Sequence, residues 1–362
     1  MFTEVDHQHM SRALALAAQG LFSTTPNPRV GAVVVRDGQV VGEGWHRRAG
    51  EGHAEALALA QAGPRARGAT VYVTLEPCSH FGRTPPCAQS LVQAGVARVV
   101  AAMQDPNPAV NGRGLEMLRD AGIEVRCGLL EAQATELNIG FVSRMSRGLP
   151  WVRLKIAASL DGRTALHDGR SQWITGPLAR ADGHRWRARA CAVLTGIGTV
   201  RDDDPRLTVR EVPTERQPLR VLVDSRLQVD AHAKLLQGGA LVACAVRDAG
   251  RERELADRGC ELLHLPGPGG KVDLPGLMRA LAARGINELH VEAGFRLNGS
   301  LVREGCVDEL LVYLAPSLLG DAAGMVDLPA LADLEARQRL RFHDVERVGD
   351  DLRLLARIVH GA

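Results

Sequence analysis

This sequence predicts an α/β fold in two domains, on three observations. At 362 residues the chain is longer than one ordinary core supports. Near its start a hairpin signal is followed by alternating strand and helix patterns, the mark of a layered α/β domain. After Gly148-Leu149-Pro150 the alternation begins again, which puts the domain boundary there.

The elements follow in order. Residues 6–20 carry Met10, Leu14, Ala17 and Ala18 on one side, a helical spacing. "VGAVVVRDGQVVGEGWH" reads as two strands turning at Asp37-Gly38. A helix from about His53 to Ala62 ends near Gly63-Pro64. Then come the strand "ATVYVTL", the helix "PPCAQSLVQAG" closed by Gly95, and the strand "ARVVAAM". The helix "LEMLRDAG" and the strand "IEVRCG" follow, and Glu131 to Arg147 predicts one helical stretch. Beyond the boundary, "WVRLKIAAS", "ACAVLTGIGTV", "LRVLVDS", "ALVACAV", "NELHVEAG" and "VDELLVYLAPSLLG" read as strands or strand ends. "LPGPGGK" is a surface loop.

Composition narrows the function classes. A net charge of +2 and 3% aromatic residues speak against a nucleic-acid binder, which needs a basic field and rings for stacking. The N-terminus lacks the basic start and apolar core of a secretory signal, and no window is apolar enough to span a bilayer. Seven cysteines scattered through a long chain make a poor disulfide framework and suit a reducing cytoplasm.

The chemistry concentrates in "HAE" and "PCSHFGRTPPC". His53, Cys78 and Cys87 are three candidate zinc ligands, and a catalytic zinc takes three protein ligands with a fourth position open for water. Glu55, two residues from His53, is the candidate for moving the proton of that water. Thr84 suits a helix cap and Pro85-Pro86 the first helical positions, so Cys87 falls in a first turn, where the dipole favours thiolate. Packing, a Cys78–Cys87 redox pair and a structural zinc are the alternatives. A structural site has no need of the carboxylate. H-x-E followed by P-C…C is the signature of zinc nucleobase deaminases, but there two residues separate the cysteines, and here eight do.

"TPNPRVGAVVV", "HAEALAL", "VTLEPCSHFGRTPPC" and "MQDPNPAVNGRG" resemble the deaminase half of the bifunctional riboflavin-biosynthesis deaminase–reductases. "LKIAASLDGRTA", "SQWITG", "DDDPRLTVR" and "HVEAGFRLNGSL" resemble the reductase half, in the same order along the chain. The resemblance implies a cytidine-deaminase-like three-layer α/β/α domain over 1–147 that holds one Zn2+. It also implies a dihydrofolate-reductase-like α/β domain over 150–362 that uses NADPH. The implied reactions are hydrolytic deamination of 2,5-diamino-6-(5-phosphoribosylamino)pyrimidin-4-one, then reduction of the ribosyl group of the product to ribityl.

Residue by residue, the resemblance makes Asn27, Asp105 and Asn107 contacts to pyrimidine and ribose, with turn chemistry as the rival reading. His80 and Arg83 would face the phosphoribosyl end, unless they are solvated loop charges. Ala157, Trp173, Thr199, Asp203, Ser225 and the run Gly294, Phe295, Arg296, Leu297, Asn298, Gly299 and Ser300 would line the NADPH site. Ser171, Arg187, Leu207, Arg210 and Glu292 would contact substrate, with Arg187 and Arg210 as phosphate clamps or, alternatively, salt-bridge partners. Lys155 and Glu292 are the candidates for proton transfer during reduction. A homo-oligomer, dimer or tetramer, acting on a small molecule without nucleic acid or membrane, completes the expectation. An RNA deaminase and a zinc-stabilised interaction protein are the rivals.

Overall fold

The computed structural model describes residues 1–79 and 85–359, which form two compact units, Met1–Gly148 and Leu149–Ala362. His80 and Arg83, and the cap Thr84, lie outside the described residues.

The first unit opens with α1 (Glu4–Ala18), whose capping box joins Thr3 and Asp6. Strands β1 (Gly31–Arg36) and β2 (Gln39–Trp45) form the hairpin, with Asp37 and Gly38 both at positive φ, as a tight two-residue turn requires. Then follow α2 (Ala54–Ala62), β3 (Thr70–Val73), α3 (Cys87–Ala94), β4 (Arg98–Ala101), α4 (Arg113–Asp120) and β5 (Glu124–Cys127). The sheet runs β2-β1-β3-β4-β5, antiparallel through the hairpin and parallel from β3 onward. One core side gathers Ala54, Ala58, Val71, Leu91 and Leu118, and the other Met10, Tyr72, Val100 and Phe141.

Glycines on the hairpin bring the helices unusually close to the sheet. A Cβ on Gly44 would run into the Ala54 carbonyl and sit 2.8 Å from Ala58 N, so the start of α2 rests directly on β2. The stretch expected as one helix from Glu131 to Arg147 is two, α5 (Glu131–Leu137) and α6 (Ile139–Arg147). Asn138 breaks it because its side chain accepts from Arg29 N at 2.8 Å and donates to Arg29 O at 2.9 Å. Pro86 takes the N-cap position of α3, without a side-chain capping bond, so Cys87 is the first helical residue, and Gly95 closes the helix at φ 67°.

The second unit comprises β6 (Trp151–Ser159), α7 (Pro177–Arg189), β7 (Ala192–Gly196), α8 (Ile197–Asp203), β8 (Leu219–Val223), β9 (Leu241–Cys244) and α9 (Ala249–Ala256). It continues through β10 (Glu261–His264), α10 (Leu274–Ala283), β11 (Glu288–Val291), α11 (Phe295–Arg303), β12 (Glu309–Ala315), β13 (Leu340–Val348) and β14 (Asp351–Ile358). These strands make a nine-stranded sheet, β10-β9-β8-β7-β11-β6-β12-β14-β13, parallel from β10 to β12. Buried on both faces, the parallel strands read as continuous apolar runs. From β7 the chain steps outward to β10, then returns to lay β11 between β7 and β6. Such a reversal opens a crevice at the carboxyl ends of the strands, where α/β proteins bind ligands. Among the described residues no helix is long and apolar enough to cross a membrane.

Candidate active sites

In the first unit three elements converge on one point. His53 is the N-cap of α2 in an extended conformation and makes no capping hydrogen bond, which leaves its ring free. Cys78 follows β3, and Cys87 begins α3. His53 Nδ1 lies 3.2 Å from Cys87 Sγ and 3.6 Å from Cys78 Sγ, and all three donor atoms fall within 4.8 Å of one another. Donors bound to one tetrahedral zinc at about 2.0–2.3 Å stand roughly 3.5–3.8 Å apart, so the trio fits that ion. Two thiolates and a neutral imidazole also suit zinc chemically.

The eight-residue gap is closed at its neck. Cys87 N donates to Cys78 Sγ at 3.3 Å and Ala88 N to Cys78 O at 3.2 Å, which holds the two sulfurs together. The hydrogen bond from Cys87, against the opposing effect of burial and helped by His53, holds the Cys78 thiol down to about 4. Sharing one proton with Cys78, and buried, the Cys87 thiol moves the other way. Bonding to Cys78 raises His53.

Glu55, in the first turn of α2 and 4% exposed, is pushed up to about 7 by burial, partly offset by its own backbone N–H and by His53. A carboxyl near neutrality both takes and returns a proton at working pH.

Asp105 and Asn107 make local turn bonds, and Asn27 reaches a histidine at the end of the hairpin. Asn107 N donates to Asp105 Oδ1 at 2.8 Å and Ala109 N to Asn107 Oδ1 at 3.0 Å, so each side chain braces its loop. Asn27 Nδ2 stands 3.0 Å from His46 Nε2, and His46 Nδ1 3.1 Å from the Gly52 carbonyl. A carbonyl only accepts, so Nδ1 carries the proton and Nε2 accepts from Asn27, which fixes that amide's orientation. Burial lowers His46, keeping it neutral. Sequence reasoning missed His46; its signal was a histidine ending the hairpin just ahead of the ligand helix.

In the second unit the two glycine junctions stand at the ends of adjacent strands β7 and β11. They are not equivalent. A Cβ on Gly196 would sit 2.9 Å from Leu297 Cδ2, whereas one on Gly294 would meet only Thr199 Oγ1, at 3.7 Å. Gly294 therefore leaves an open cradle at the N-terminus of α11, suited to a phosphate of NADPH. Asn298 and Gly299 are buried on α11: Asn298 Nδ2 donates to Met325 O at 3.1 Å, and Gly299 packs against Asp327. Leu297 packs into the core edge, and Ser300 Oγ turns back to the Arg296 carbonyl. Phe295 and Arg296 begin the helix.

Trp173 is 69% exposed with the Arg180 guanidinium 4.5 Å above its ring. Gln172 Nε2 donates to Asp203 Oδ1 at 3.2 Å, tying the Ser171–Trp173 segment to the end of α8. Ser225 Oγ accepts from Val272 N at 3.2 Å. Ala157 and Lys155 share one face of β6.

Three of the expected substrate residues have partners or burial of their own within the unit. Arg187 is not a free clamp: it forms a two-point ion pair with Glu292 and also donates to the Thr208 carbonyl. Despite burial, Arg187 holds the Glu292 carboxyl well below the usual range, so Glu292 has no proton to give at neutral pH. Leu207, at φ 51° and 2% exposed, is a core side chain that can offer a ligand only its backbone. Arg210 remains exposed, bonded to Thr208. Lys155 is lowered by burial, with Glu292 opposing. Sequence reasoning also missed His184, one helical turn before Arg187, whose Nδ1 accepts from Arg210 N at 3.2 Å; burial and Arg187 pull it down to about 4.

A model of the cytidine and deoxycytidylate deaminase zinc-binding region matches residues 3–103, and one of the RibD C-terminal domain matches residues 150–354. The chain is 49% identical to the riboflavin biosynthesis protein RibD of Escherichia coli, over 96% of this chain and 98% of that one. It is 50% identical to the Haemophilus influenzae protein of that name, over 98% and 97%. Among solved structures, Acinetobacter baumannii RibD superposes with a TM-score of 0.91 at 44% identity, covering 99% of each chain. A Thermotoga maritima diaminohydroxyphosphoribosylaminopyrimidine deaminase/5-amino-6-(5-phosphoribosylamino)uracil reductase gives 0.88 at 32% identity, covering 98% of this chain and 99% of that one.

Proposed function

The chain belongs to the RibD family of bifunctional riboflavin-biosynthesis enzymes, and from that premise we propose how its residues divide the work. Residues 1–147 deaminate 2,5-diamino-6-(5-phosphoribosylamino)pyrimidin-4-one, and residues 150–362 reduce the ribosyl group of the resulting aminouracil. The observation that carries the first assignment is the meeting of His53, Cys78 and Cys87 beside the buried carboxyl of Glu55, in the same first turn of α2 as His53.

His53, Cys78 and Cys87 would hold zinc, which supplies an activated water when bound. Glu55 takes one proton of the attacking water to the ring nitrogen, then takes the proton of the hydroxyl now on carbon and delivers it to the departing amino group, so that ammonia leaves as the carbonyl forms. Asn27, set by His46, and the loop bearing Asp105 and Asn107 orient the pyrimidine and ribose.

In the second unit NADPH supplies the hydride when bound. Gly294 with the first turn of α11 receives a cofactor phosphate, and Trp173, Thr199, Asp203, Ser225 and Ala157 complete its lining. Arg210 meets the substrate phosphate. Lys155 delivers the proton that the sugar's ring oxygen takes as the ring opens. Glu292, ionised by Arg187, holds Lys155 in its charged form and accepts a substrate hydroxyl.

The same reading makes the protein cytoplasmic, in keeping with thiols that are all unbridged among the described residues. It also makes it a homo-oligomer, for which edge strand β13 offers Leu340, Phe342 and Val345, each at least 46% exposed.

Incubation of the protein with the diaminopyrimidine phosphate, with and without NADPH, tests the reading. Ammonia should appear without NADPH, and NADPH should be oxidised only after deamination. Oxidation of NADPH on the undeaminated substrate at an equal rate would overturn the order.

A further inference from the structure

Glu76 stands three residues past the end of β3, two residues before Cys78, and is 3% exposed. Neither role of the zinc site uses it, yet its carboxylate is among the most heavily bonded in the unit. Oε2 accepts from Asp105 N at 3.1 Å and Gly112 N at 2.9 Å. Oε1 accepts from Gly114 N at 2.8 Å and Leu115 N at 3.4 Å. The four donors span both ends of the loop that carries Asp105 and Asn107, together with the first turn of α4. A carboxylate there satisfies orphan N–H groups and faces the positive end of the helix.

A second contact fastens the same two segments. Gly114 lies so close to Pro77 that a Cβ there would run into the Pro77 carbonyl. The backbone of residues 76–77 and the start of α4 therefore sit directly against one another. Any shift of the 105–114 loop relative to Cys78 must break bonds to Glu76 or open this contact.

We infer that Glu76 is a positioning residue for deamination, a latch that sets the substrate loop at Asp105 and Asn107 in register with the metal ligand Cys78. The inference rests on the proposed substrate role of Asp105. Glu76 touches neither metal nor substrate; it acts through the backbone it holds. An amide cannot replace it, because whichever end carries the NH2 would face two N–H groups and lose two of the four bonds.

The test is Glu76→Gln in the full-length protein, alone and combined with Asp105→Ala. Deamination KM and kcat, zinc content, Tm and the reduction of supplied deaminated substrate are measured. The latch predicts a deamination KM at least tenfold higher, a smaller change in kcat, one zinc per chain and unchanged reduction. It also predicts that Glu76→Gln adds little once Asp105 is Ala, since both act on one contact. A lower Tm with a parental KM overturns the inference and leaves Glu76 a structural cap, and loss of zinc overturns it in favour of a metal-site support. A parental KM in Asp105→Ala overturns the reading of Asp105 itself, whereas a raised KM there with none in Glu76→Gln overturns only the latch. If Glu76→Gln does not fold, Glu76→Asp, which keeps the charge and gives up reach, takes its place with the same outcomes.

Discussion

Adding one methyl group at Gly44 should reduce deamination about a hundredfold and leave reduction untouched. Gly44 lies on β2, nine residues before the ligand His53, and its backbone supports the first turn of α2. An alanine Cβ there would overlap the Ala54 carbonyl and sit 2.8 Å from both Ala58 N and Leu57 Cβ. Returning that pair to 3.4 Å takes about 0.6 Å, and clearing the Ala54 carbonyl takes about 1 Å. Since Ala54 lies between His53 and Glu55, the ligand and the proton carrier move with it. A misplacement of about 1 Å in a catalytic constellation can cost about 10²-fold, and the overpacking itself costs roughly 1–3 kcal/mol of stability. The control is Gly52→Ala, adjacent to His53 in the chain, where a Cβ meets only Leu57, at 3.6 Å. Ammonia release, zinc content and reduction of supplied deaminated substrate are the assays. Gly44→Ala within threefold of the parent, or Gly52→Ala equally damaged, would refute the idea that helix-to-sheet packing sets this site.

Further expectations concern metal, proton and acid. Chelation, or Cys87→Ser, should abolish deamination and leave reduction intact, read by metal analysis beside both activities; equal loss of both would contradict separate sites. Because burial lowers Lys155 from the usual value of 10.5, the reductase rate should fall on the alkaline side before that pH is reached. A pH–rate profile at saturating NADPH that stays flat to pH 10 would remove Lys155 as proton donor. Burial raises Asp6, but Arg98, Thr3 and Tyr72 outweigh it and hold the carboxyl well below 3.8. A depressed pKa contributes stability above the unfolded value that is lost as pH falls through the folded one. Asp6→Asn should therefore destabilise the first unit by about 2 kcal/mol at pH 7, with the difference from the parent shrinking below pH 4. A gap independent of pH would contradict this.

What the sequence made legible was local. The hairpin turn at Asp37-Gly38 and the glycine stop at Gly95 each announce themselves within a few residues, and the ligand trio within two short motifs, "HAE" and "PCSHFGRTPPC". The rest depended on distant partners. Asn138 divides a helical pattern because it bonds the backbone of Arg29, 109 residues away, which no window contains. Arg187 read equally as a phosphate clamp or a salt-bridge partner, because Glu292, with which it pairs, is 105 residues further on. Leu207, named as a substrate contact, has its side chain in the core. The β13–β14 hairpin went unread because β13 is largely exposed on both faces, so "LRFHDVERV" lacks the apolar alternation that marks a half-buried strand. Glu76 sat inside a motif quoted for its cysteines, and only the fold brought its four N–H partners to it.

The central claim is that two separate sets of residues perform two successive reactions, with Glu55 carrying the proton in the first. Glu55→Gln keeps size and fold and removes the titrating group. Assayed for ammonia release from the diaminopyrimidine phosphate, and for NADPH oxidation on supplied deaminated product, it should lose the first activity by at least a thousandfold and keep the second at the parental rate. Full deamination by Glu55→Gln would contradict the account.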